Sequence, residues 1–218
     1  MGDFSIVQKI AIWILPVIFA VTLHEAAHGY IAHKLGDDTA YRLGRVSANP
    51  FKHIDPLGTI ILPMLLLATT GFIFGWAKPV PVNANRLRSP KRDFTLVALA
   101  GPSANFLMAV VWMAFLKLAL ILNGHHVSMA VPLGYMAQAG VMINLVLMVL
   151  NLIPIPPLDG SRLIAYLLPP PWDARFDKIT PFGIVILLVL ITTGILTKAI
   201  LPGIKFFEQL LFTVFQIA

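Results

Sequence analysis

The sequence predicts an all-α polytopic membrane protein with about five to six transmembrane helices and a short re-entrant or β-hairpin element on the cytosolic side. Of its 218 residues, 58% are hydrophobic and only 12% are charged, and the mean hydropathy is +0.84. These values lie outside the range of soluble globular domains. Several uncharged runs also reach the roughly 20 residues that a helix needs to cross a bilayer. We expect one integral-membrane domain, residues 1–218, with a core over 5–170 and C-terminal helices over 179–218.

The first predicted span covers residues 10–31, since 10–23 carry no charge and the apolar pattern continues beyond them. Gly36 can cap this helix, so we expect it to end near Leu35 and Gly36. Residues 40–49 alternate between polar and apolar side chains, which predicts a short strand. Residues 57–77 are uncharged and by length could form a span. The prolines in 78–86 predict an extended segment at the edge of any sheet.

The second half of the chain holds the clearest spans. Residues 94–122 form one, which we expect to be broken near its start by the sequence Gly101-Pro102-Ser103-Ala104-Asn105. Residues 130–153 form another, and prolines end it at 154–157. A short amphipathic helix over 161–168, a span over 179–197 and a last apolar segment reaching residue 218 complete the prediction.

A metal-binding pattern lies at the end of the first span. His24 and His28 are four residues apart, so on a helix both side chains point the same way and can each give a nitrogen to one divalent ion. Glu25 is placed to reach a water at that ion without displacing a ligand. This is the H-E-x-x-H arrangement of zinc peptidases. The alternative is a histidine pair packed in an apolar core, which would leave Glu25 unpaired in a membrane helix at a cost of a few kcal/mol.

Two histidines need a third ligand, because a catalytic zinc site uses three protein ligands and one open position. The chain has no cysteine, so the ligand must be a histidine or a carboxylate. Asp159 is the best candidate, since it follows the point where a span breaks into irregular backbone, which at membrane depth must be buried or line a wet cavity. Asp159 could instead cap the following helix, and Asp55 is the rival ligand. His53 has a possible role beside the site or in a substrate loop. A set of two histidines and one carboxylate favours one zinc ion per chain.

A shared site constrains the topology. His24, His28 and Asp159 can meet only if the ends of the first span and of the 130–153 span face the same side, and 57–77 should then re-enter on that side. With this arrangement twelve of the sixteen basic residues are cytosolic, as the positive-inside rule prefers: Lys34, Arg42, Arg45, Lys52, Lys78, Arg86, Arg88, Lys91, Arg92, Arg162, Arg175 and Lys178. Topology therefore explains the net charge of +6 better than nucleic-acid binding does.

Three motifs occur in order: the H-E-x-x-H of 24–28, the Gly-Pro-Ser-Ala-Asn of 101–105, and Asn-Leu-Ile-Pro-Ile-Pro-Pro-Leu-Asp-Gly of 151–160. In these the chain closely resembles the site-2 protease family of intramembrane zinc metalloproteases. The resemblance implies that His24, His28 and Asp159 bind zinc and that Glu25 is the catalytic base. It also implies that Asn151 contacts the substrate backbone or the oxyanion.

The resemblance extends less directly to Asn105, which could contact substrate or could only hydrogen-bond a neighbouring helix. It further implies a strand-like cytosolic element, here 40–49 or 77–85, that pairs with an unwound substrate. Nothing between residues 122 and 130 could hold a PDZ domain, and no nucleotide-sensing domain follows the last span. The sequence therefore looks like a minimal form of the family.

The expected activity is hydrolysis of peptide bonds in or near the transmembrane helix of a single-pass membrane protein. The expected location is a prokaryotic inner membrane, with the active site towards the cytosol and no nucleic-acid partner. Two alternatives have other chemistry: a metal-ion transporter, since intramembrane His and Asp also suit transport, and an inactive relative that binds helices without cutting them. Glu25 argues against both. The oligomeric state is not determined by the sequence.

Overall fold

The computed structural model describes residues 4–61, 65, 77–169 and 171–217. In chain order its α-helices are α1 (Ile6–Lys34), α2 (Thr39–Arg42), α3 (Pro90–Gly124), α4 (Ala130–Asn151), α5 (Gly160–Leu167), α6 (Trp172–Asp177), α7 (Gly183–Thr192) and α8 (Ile195–Val214). Short 3₁₀ turns lie at Pro50–His53, Ala84–Arg86 and Thr180–Phe182, and one π-type turn lies at Pro56–Ile61. The centre of the fold is the set of long helices α1, α3 and α4, which pack against one another.

The first helix is closed at both ends by local hydrogen bonds. At its start, the Ser5 hydroxyl accepts from the Gln8 N–H and the Gln8 side chain accepts from the Ser5 N–H, which satisfies two backbone donors that the helix leaves free. At its end, Gly36 adopts a positive φ of 112°, a conformation that glycine reaches without steric cost. The predicted end of the helix is confirmed.

The third helix contradicts one prediction, because it continues unbroken through Gly101 and Pro102. A proline inside a helix removes one backbone hydrogen bond, but this helix is 35 residues long and packed on both α1 and α4. The packing outweighs the loss of that bond. The Gly-Pro pair therefore stays helical at the level of the two histidines.

The apolar core lies between α3, α4 and α8. Nine buried side chains form it: Ala109, Met113, Leu116, Ala137, Val141, Leu145, Met148, Ile204 and Leu211. Gly140 lies directly against the Trp112 ring, where a Cβ atom would collide with it. This glycine lets α3 and α4 approach closely, as small residues do in membrane bundles.

Three described helices are long and apolar enough to cross a membrane: α1 from Val7, α3 and α4. The segment 180–192 and α8 together could form a fourth, broken span or a re-entrant loop, because the two parts are bent by 81° relative to each other. The bend follows Thr192 and Thr193, whose hydroxyls donate to carbonyls one turn earlier, and Gly194 at φ 73°. The expected count of five to six spans and the separate span expected over 179–197 are thus not confirmed.

The predicted strand over 40–49 is also wrong, and no β-strand occurs in the described ranges. Asp37 explains the difference: its carboxylate accepts from both the N–H and the hydroxyl of Thr39 and so starts α2, which ends before Gly44 at φ 63°. Most of the predicted span or re-entrant segment over 57–77 lies outside the described residues.

Candidate metal centre

Three side chains from two distant parts of the chain meet at one point. His24 and His28 project from α1, and Asp159 lies in the turn between α4 and α5. The Nε2 atoms of the two histidines are 3.1 Å apart, and Oδ2 of Asp159 lies 3.2 Å from the first and 3.4 Å from the second. Both histidines are buried, with 8% of their surface exposed. The structure therefore brings together the three ligands predicted from the sequence.

The protonation of both imidazoles follows from their other contacts. Nδ1 of His24 lies 2.6 Å from the side-chain oxygen of Asn105, and Nδ1 of His28 lies 2.7 Å from the carbonyl oxygen of Val97. An oxygen acceptor requires a proton on the facing nitrogen. Both Nδ1 atoms must therefore carry hydrogen. In the neutral imidazole this leaves the Nε2 lone pairs directed at Asp159.

The arrangement fits a small divalent cation. Oδ2 of Asp159 is buried and has no hydrogen-bond partner in the described part of the chain, so two nitrogen lone pairs and a carboxylate oxygen face one another without a proton between them. A tetrahedral ion at the usual zinc–ligand distance has ligand atoms about 3.3 Å apart, which agrees with the three separations. An ionised Asp159 carboxylate and two neutral imidazoles with free Nε2 lone pairs are the protonation states that bind a metal ion.

Gly101 leaves space for the imidazole rings of His24 and His28 because it has no side chain. A Cβ atom at this position would lie 2.5 Å from Cε1 of His24 and 2.5 Å from Nε2 of His28, closer than van der Waals contact allows. The Gly-Pro motif of α3 thus forms one wall of the metal centre, because only a residue without a side chain fits beneath both rings.

Asn105 is completely buried, and its amide is fixed by three contacts. Its nitrogen donates to the carbonyl of Ala20 at 3.1 Å and to the side-chain oxygen of Asn144 at 3.0 Å, so its oxygen must face His24. The nitrogen of Asn144 in turn donates to the carbonyl of Gly140. These bonds form a chain from α4 through α3 to His24 on α1.

The alternatives left open for the third ligand are now distinguishable. Asp159 precedes α5, but its backbone is helical and its side chain makes no capping hydrogen bond, so capping does not account for it. The carboxylate of Asp55 accepts from the N–H of Gly58 at 2.7 Å and is not part of the cluster. His53 is buried, and its Nε2 lies 2.9 Å from the carbonyl of Ser47, so it holds its own loop together.

Glu25 is half-buried, and its Oε2 accepts from the backbone N–H of Val80 at 2.8 Å. Val80 belongs to the segment 77–83, which has neither helix nor strand structure. Two more contacts hold this segment: Arg45 donates to the carbonyl of Lys78 at 2.7 Å, and the N–H of Asn83 donates to Asp37 at 2.6 Å. The predicted base is therefore fixed by a loop that arrives from 55 residues away.

Asn151 ends α4, half-buried, and its amide nitrogen donates to the carbonyl of Leu147. This bond fixes the amide next to the proline-rich turn that carries Asp159. The contact with substrate predicted for Asn151 stays a prediction.

Sequence reasoning missed three contributors: the carbonyl of Val97, the N–H of Val80 and the side chain of Asn144. The first two are backbone groups and carry no side-chain signal. Asn144 did carry a signal in the sequence, because an amide in the middle of an uncharged span needs a hydrogen-bond partner.

Residues 120–191 match the family described as "Peptidase family M50"; they contain Asp159 but not the histidine pair. The chain is 38% identical over 191 residues to "Putative zinc metalloprotease YwhC" of Bacillus subtilis (strain 168), covering 87% of this chain and 84% of that protein. It is 31% identical over 203 residues to "Putative zinc metalloprotease Rip2" of Mycolicibacterium smegmatis, covering 91% of this chain and 71% of that protein. No solved structure matches the chain.

Proposed function

Because the chain belongs to peptidase family M50, the site-2 protease family, and is an intramembrane zinc metalloprotease, we propose that His24, His28 and Asp159 hold its zinc ion and that Glu25 is its general base. The observation that carries this proposal is the convergence of two imidazole lone pairs and an unpartnered carboxylate oxygen within 3.1–3.4 Å. Without a cation this arrangement is repulsive. With one it is the ligand set of a catalytic zinc site.

Each residue then has a defined task. When bound, zinc supplies a Lewis acid that eases deprotonation of water at neutral pH and polarises the scissile carbonyl. Glu25 accepts the proton of the attacking water and returns it to the leaving amine. The N–H of Val80 holds Oε2 of Glu25, so the second carboxylate oxygen remains for that proton transfer. Asn151 donates to the substrate backbone or the oxyanion.

The contacts of Asn105 favour a positioning role. All three of its hydrogen bonds go to protein groups, and the side chain has no exposed surface. It therefore fixes the ring orientation and tautomer of His24 and does not contact the substrate. Outer partners of this kind commonly change metal affinity by 10–100-fold.

The substrate is the transmembrane helix of a single-pass membrane protein, unwound next to the metal centre because an intact helix has its carbonyls hydrogen-bonded. The segment 77–83 is the surface along which the unwound part lies. Pro79 and Pro81 have no N–H, and the N–H of Val80 is taken by Glu25. The N–H groups of Lys78 and Asn83 are also bonded within the protein, to His53 and Asp37. This stretch therefore offers few N–H donors to a substrate, and pairing is weaker than in a regular β-ladder.

Chain direction supports an active site that opens towards the cytosol. The metal ligands lie at the C-terminal ends of α1 and α4, and the basic loops begin at the same ends. We therefore propose one domain, with core 5–170 and helices 179–218, in a prokaryotic cell membrane. The bacterial relatives are consistent with that location.

The test uses purified protein in liposomes with a single-pass substrate helix. Wild type should bind one zinc ion per chain and cleave the substrate. Glu25→Gln should keep the zinc and lose cleavage, whereas Asp159→Ala should lose zinc and cleavage together. Asp55→Asn, which alters the rival carboxylate, is the matched control and should keep both. Cleavage that survives Glu25→Gln would reject the role of Glu25, and zinc flux across the membrane would favour a transporter.

A further inference from the structure

Glu208 is the second of the two glutamates in the chain and lies in α8, apart from the metal ligands. α8 packs on the bundle through Ile204 and Leu211, which belong to the apolar core. The Glu208 side chain is half-buried, and within the described ranges it has no hydrogen bond or ion pair. An ionisable group beside an apolar membrane core is costly unless it has a partner. Its position therefore calls for a ligand.

Glu208 lines a cavity of about 420 Å³. The wall is mostly apolar and includes Trp13 of α1, Met113 of α3 and Phe212 of α8. Among the described residues that line it, Glu208 is the one charged side chain, and Gln138 adds an amide. Gln138 is exposed, so the cavity opens to the outside of the bundle. This volume admits one or two large side chains but not a helix, which is about 10–12 Å across with its side chains.

Two walls of the cavity, Trp13 and Met113, are displaced from the metal centre along the helix axes. Trp13 is eleven residues before His24 on α1, and Met113 is eight residues after Asn105 on α3. At a rise of 1.5 Å per residue, Trp13 and Met113 are displaced from His24 and Asn105 by about 12–17 Å along their helices. A substrate helix that reaches the metal centre with one part can place another part at this level.

On the basis of the proteolytic function proposed above, we propose that this cavity is a specificity site that receives a lysine or arginine side chain from the substrate's transmembrane helix. That residue lies roughly 8–11 positions from the scissile bond, on the side leading away from Asp159, and fewer if the intervening backbone is extended. A buried cation beside the carboxylate satisfies both groups, because an intramembrane charge is tolerated when paired.

Other occupants fit the cavity less well. An acyl chain would fill the apolar wall but leave the carboxylate unpaired, and a lipid phosphate would be repelled by it. The nearby lysines of the chain do not fill the role. Lys117 donates to the carbonyls of Phe215 and Gln216, and Lys205, three residues before Glu208, is exposed and forms no ion pair with it.

The experiment uses the full chain in liposomes and single-pass substrates in which lysine, leucine or glutamate is moved through positions about 4–14 residues from the scissile bond. Wild type should cleave the lysine substrate about tenfold faster than the leucine substrate at the matching position, a difference of about 1.4 kcal/mol. Glu208→Leu should abolish this preference and still cleave the leucine substrate. Glu208→Lys should reverse the preference, so that the glutamate substrate is cleaved faster than the lysine substrate. Lys205→Gln removes an exposed charge from the same helix and should leave the preference for the lysine substrate unchanged.

A second readout does not depend on cleavage. Because the chain has no cysteine, Met142→Cys at the exposed rim of the cavity gives a single thiol for disulfide crosslinking to a cysteine scanned along the substrate, in a Glu25→Gln background. Crosslinking should peak next to the lysine and weaken with Glu208→Leu. Equal crosslinking and cleavage of lysine and leucine substrates, or a lysine preference that survives Glu208→Leu, would overturn the site. Failure of the proteolytic function appears separately, as a wild type that cleaves none of the substrates.

Discussion

The side-chain oxygen of Asn105 lies 2.6 Å from Nδ1 of His24, although 81 residues separate the two in the chain. The contact fixes which nitrogen of His24 is free to bind metal. Because Asn105 is held by Ala20 and Asn144 in turn, the orientation of the ligand depends on three helices. Metal affinity should therefore respond to residues that never touch the ion.

Replacing Asn105 by leucine should lower zinc affinity by about 10–100-fold, because His24 loses the acceptor that fixes its ring. Asn144→Leu should have a smaller effect of the same sign, since it acts through Asn105. Competition with a chromophoric chelator measures both affinities. Ser103→Ala is the matched control, because Ser103 is exposed on the same helix and donates only to the carbonyl of Leu99. Unchanged zinc affinity in Asn105→Leu would show that the contact is only structural.

Gly101→Ala should abolish tight zinc binding while leaving the helical content intact. The added methyl group would lie 2.5 Å from atoms of both His24 and His28, so the rings must move apart. Metal content after purification and far-ultraviolet circular dichroism separate the two effects. Gly134→Ala serves as control, because its added methyl would be 3.7 Å from the Cβ of Ala119, an ordinary contact. A Gly101→Ala protein that retains zinc would contradict the close packing of Gly101 against the two imidazole rings.

Val80→Pro should reduce the rate of cleavage by at least about tenfold with zinc content unchanged, because a proline cannot donate to Glu25. Val80→Ala keeps the N–H and should retain most of the activity. The comparison separates loss of the hydrogen bond from loss of the side chain, which is itself buried. Equal activity in the two variants would mean that Glu25 does not depend on this donor.

The stability of the loop that holds Glu25 should depend on pH through Asp37. Burial raises the pKa of Asp37, but hydrogen bonds from Thr39 and Asn83 and the charge of Arg86 lower it overall. A carboxyl with a lowered pKa in the folded state contributes stability above its unfolded pKa of about 3.9, and this contribution is lost as the pH falls through the folded value. The contribution of Asp37 to stability should thus be constant from about pH 5 to 8 and fall below about pH 4.

Asp37→Asn tests whether the charge of Asp37 causes this pH dependence. The variant should be less stable than wild type at pH 7 by about 1–2 kcal/mol, because hydrogen bonds to a charged acceptor are the stronger ones. The difference should shrink below about pH 4. Thermal unfolding in detergent across this range gives both curves. Asp38→Asn is the comparison, since Asp38 lies at the next position, is half-buried and contacts His33 and Arg42 rather than Asn83. A constant difference between Asp37→Asn and wild type at all pH values would exclude the charge as the cause.

Local features of this protein were predictable from sequence because they depend on short-range geometry. The spacing of His24 and His28 places both on one helix face, and the ends of α1 and α4 follow from glycine and proline. The strand over 40–49 failed for a tertiary reason. Its alternation is real, but Asp37 binds both Thr39 and the backbone of Asn83, and this starts a helix instead.

The sequence by itself determined a membrane-embedded chain with a histidine pair, a glutamate and a candidate third ligand. Only the tertiary structure decided that Asp159, not Asp55, faces the histidines, that their Nδ1 atoms carry the protons and that Glu25 is held by the backbone of Val80. Each of these depends on atoms brought together from different helices and loops. Backbone carbonyls and N–H groups are the same at every residue apart from the missing N–H of proline, so their partners become visible only when packing sets the distances.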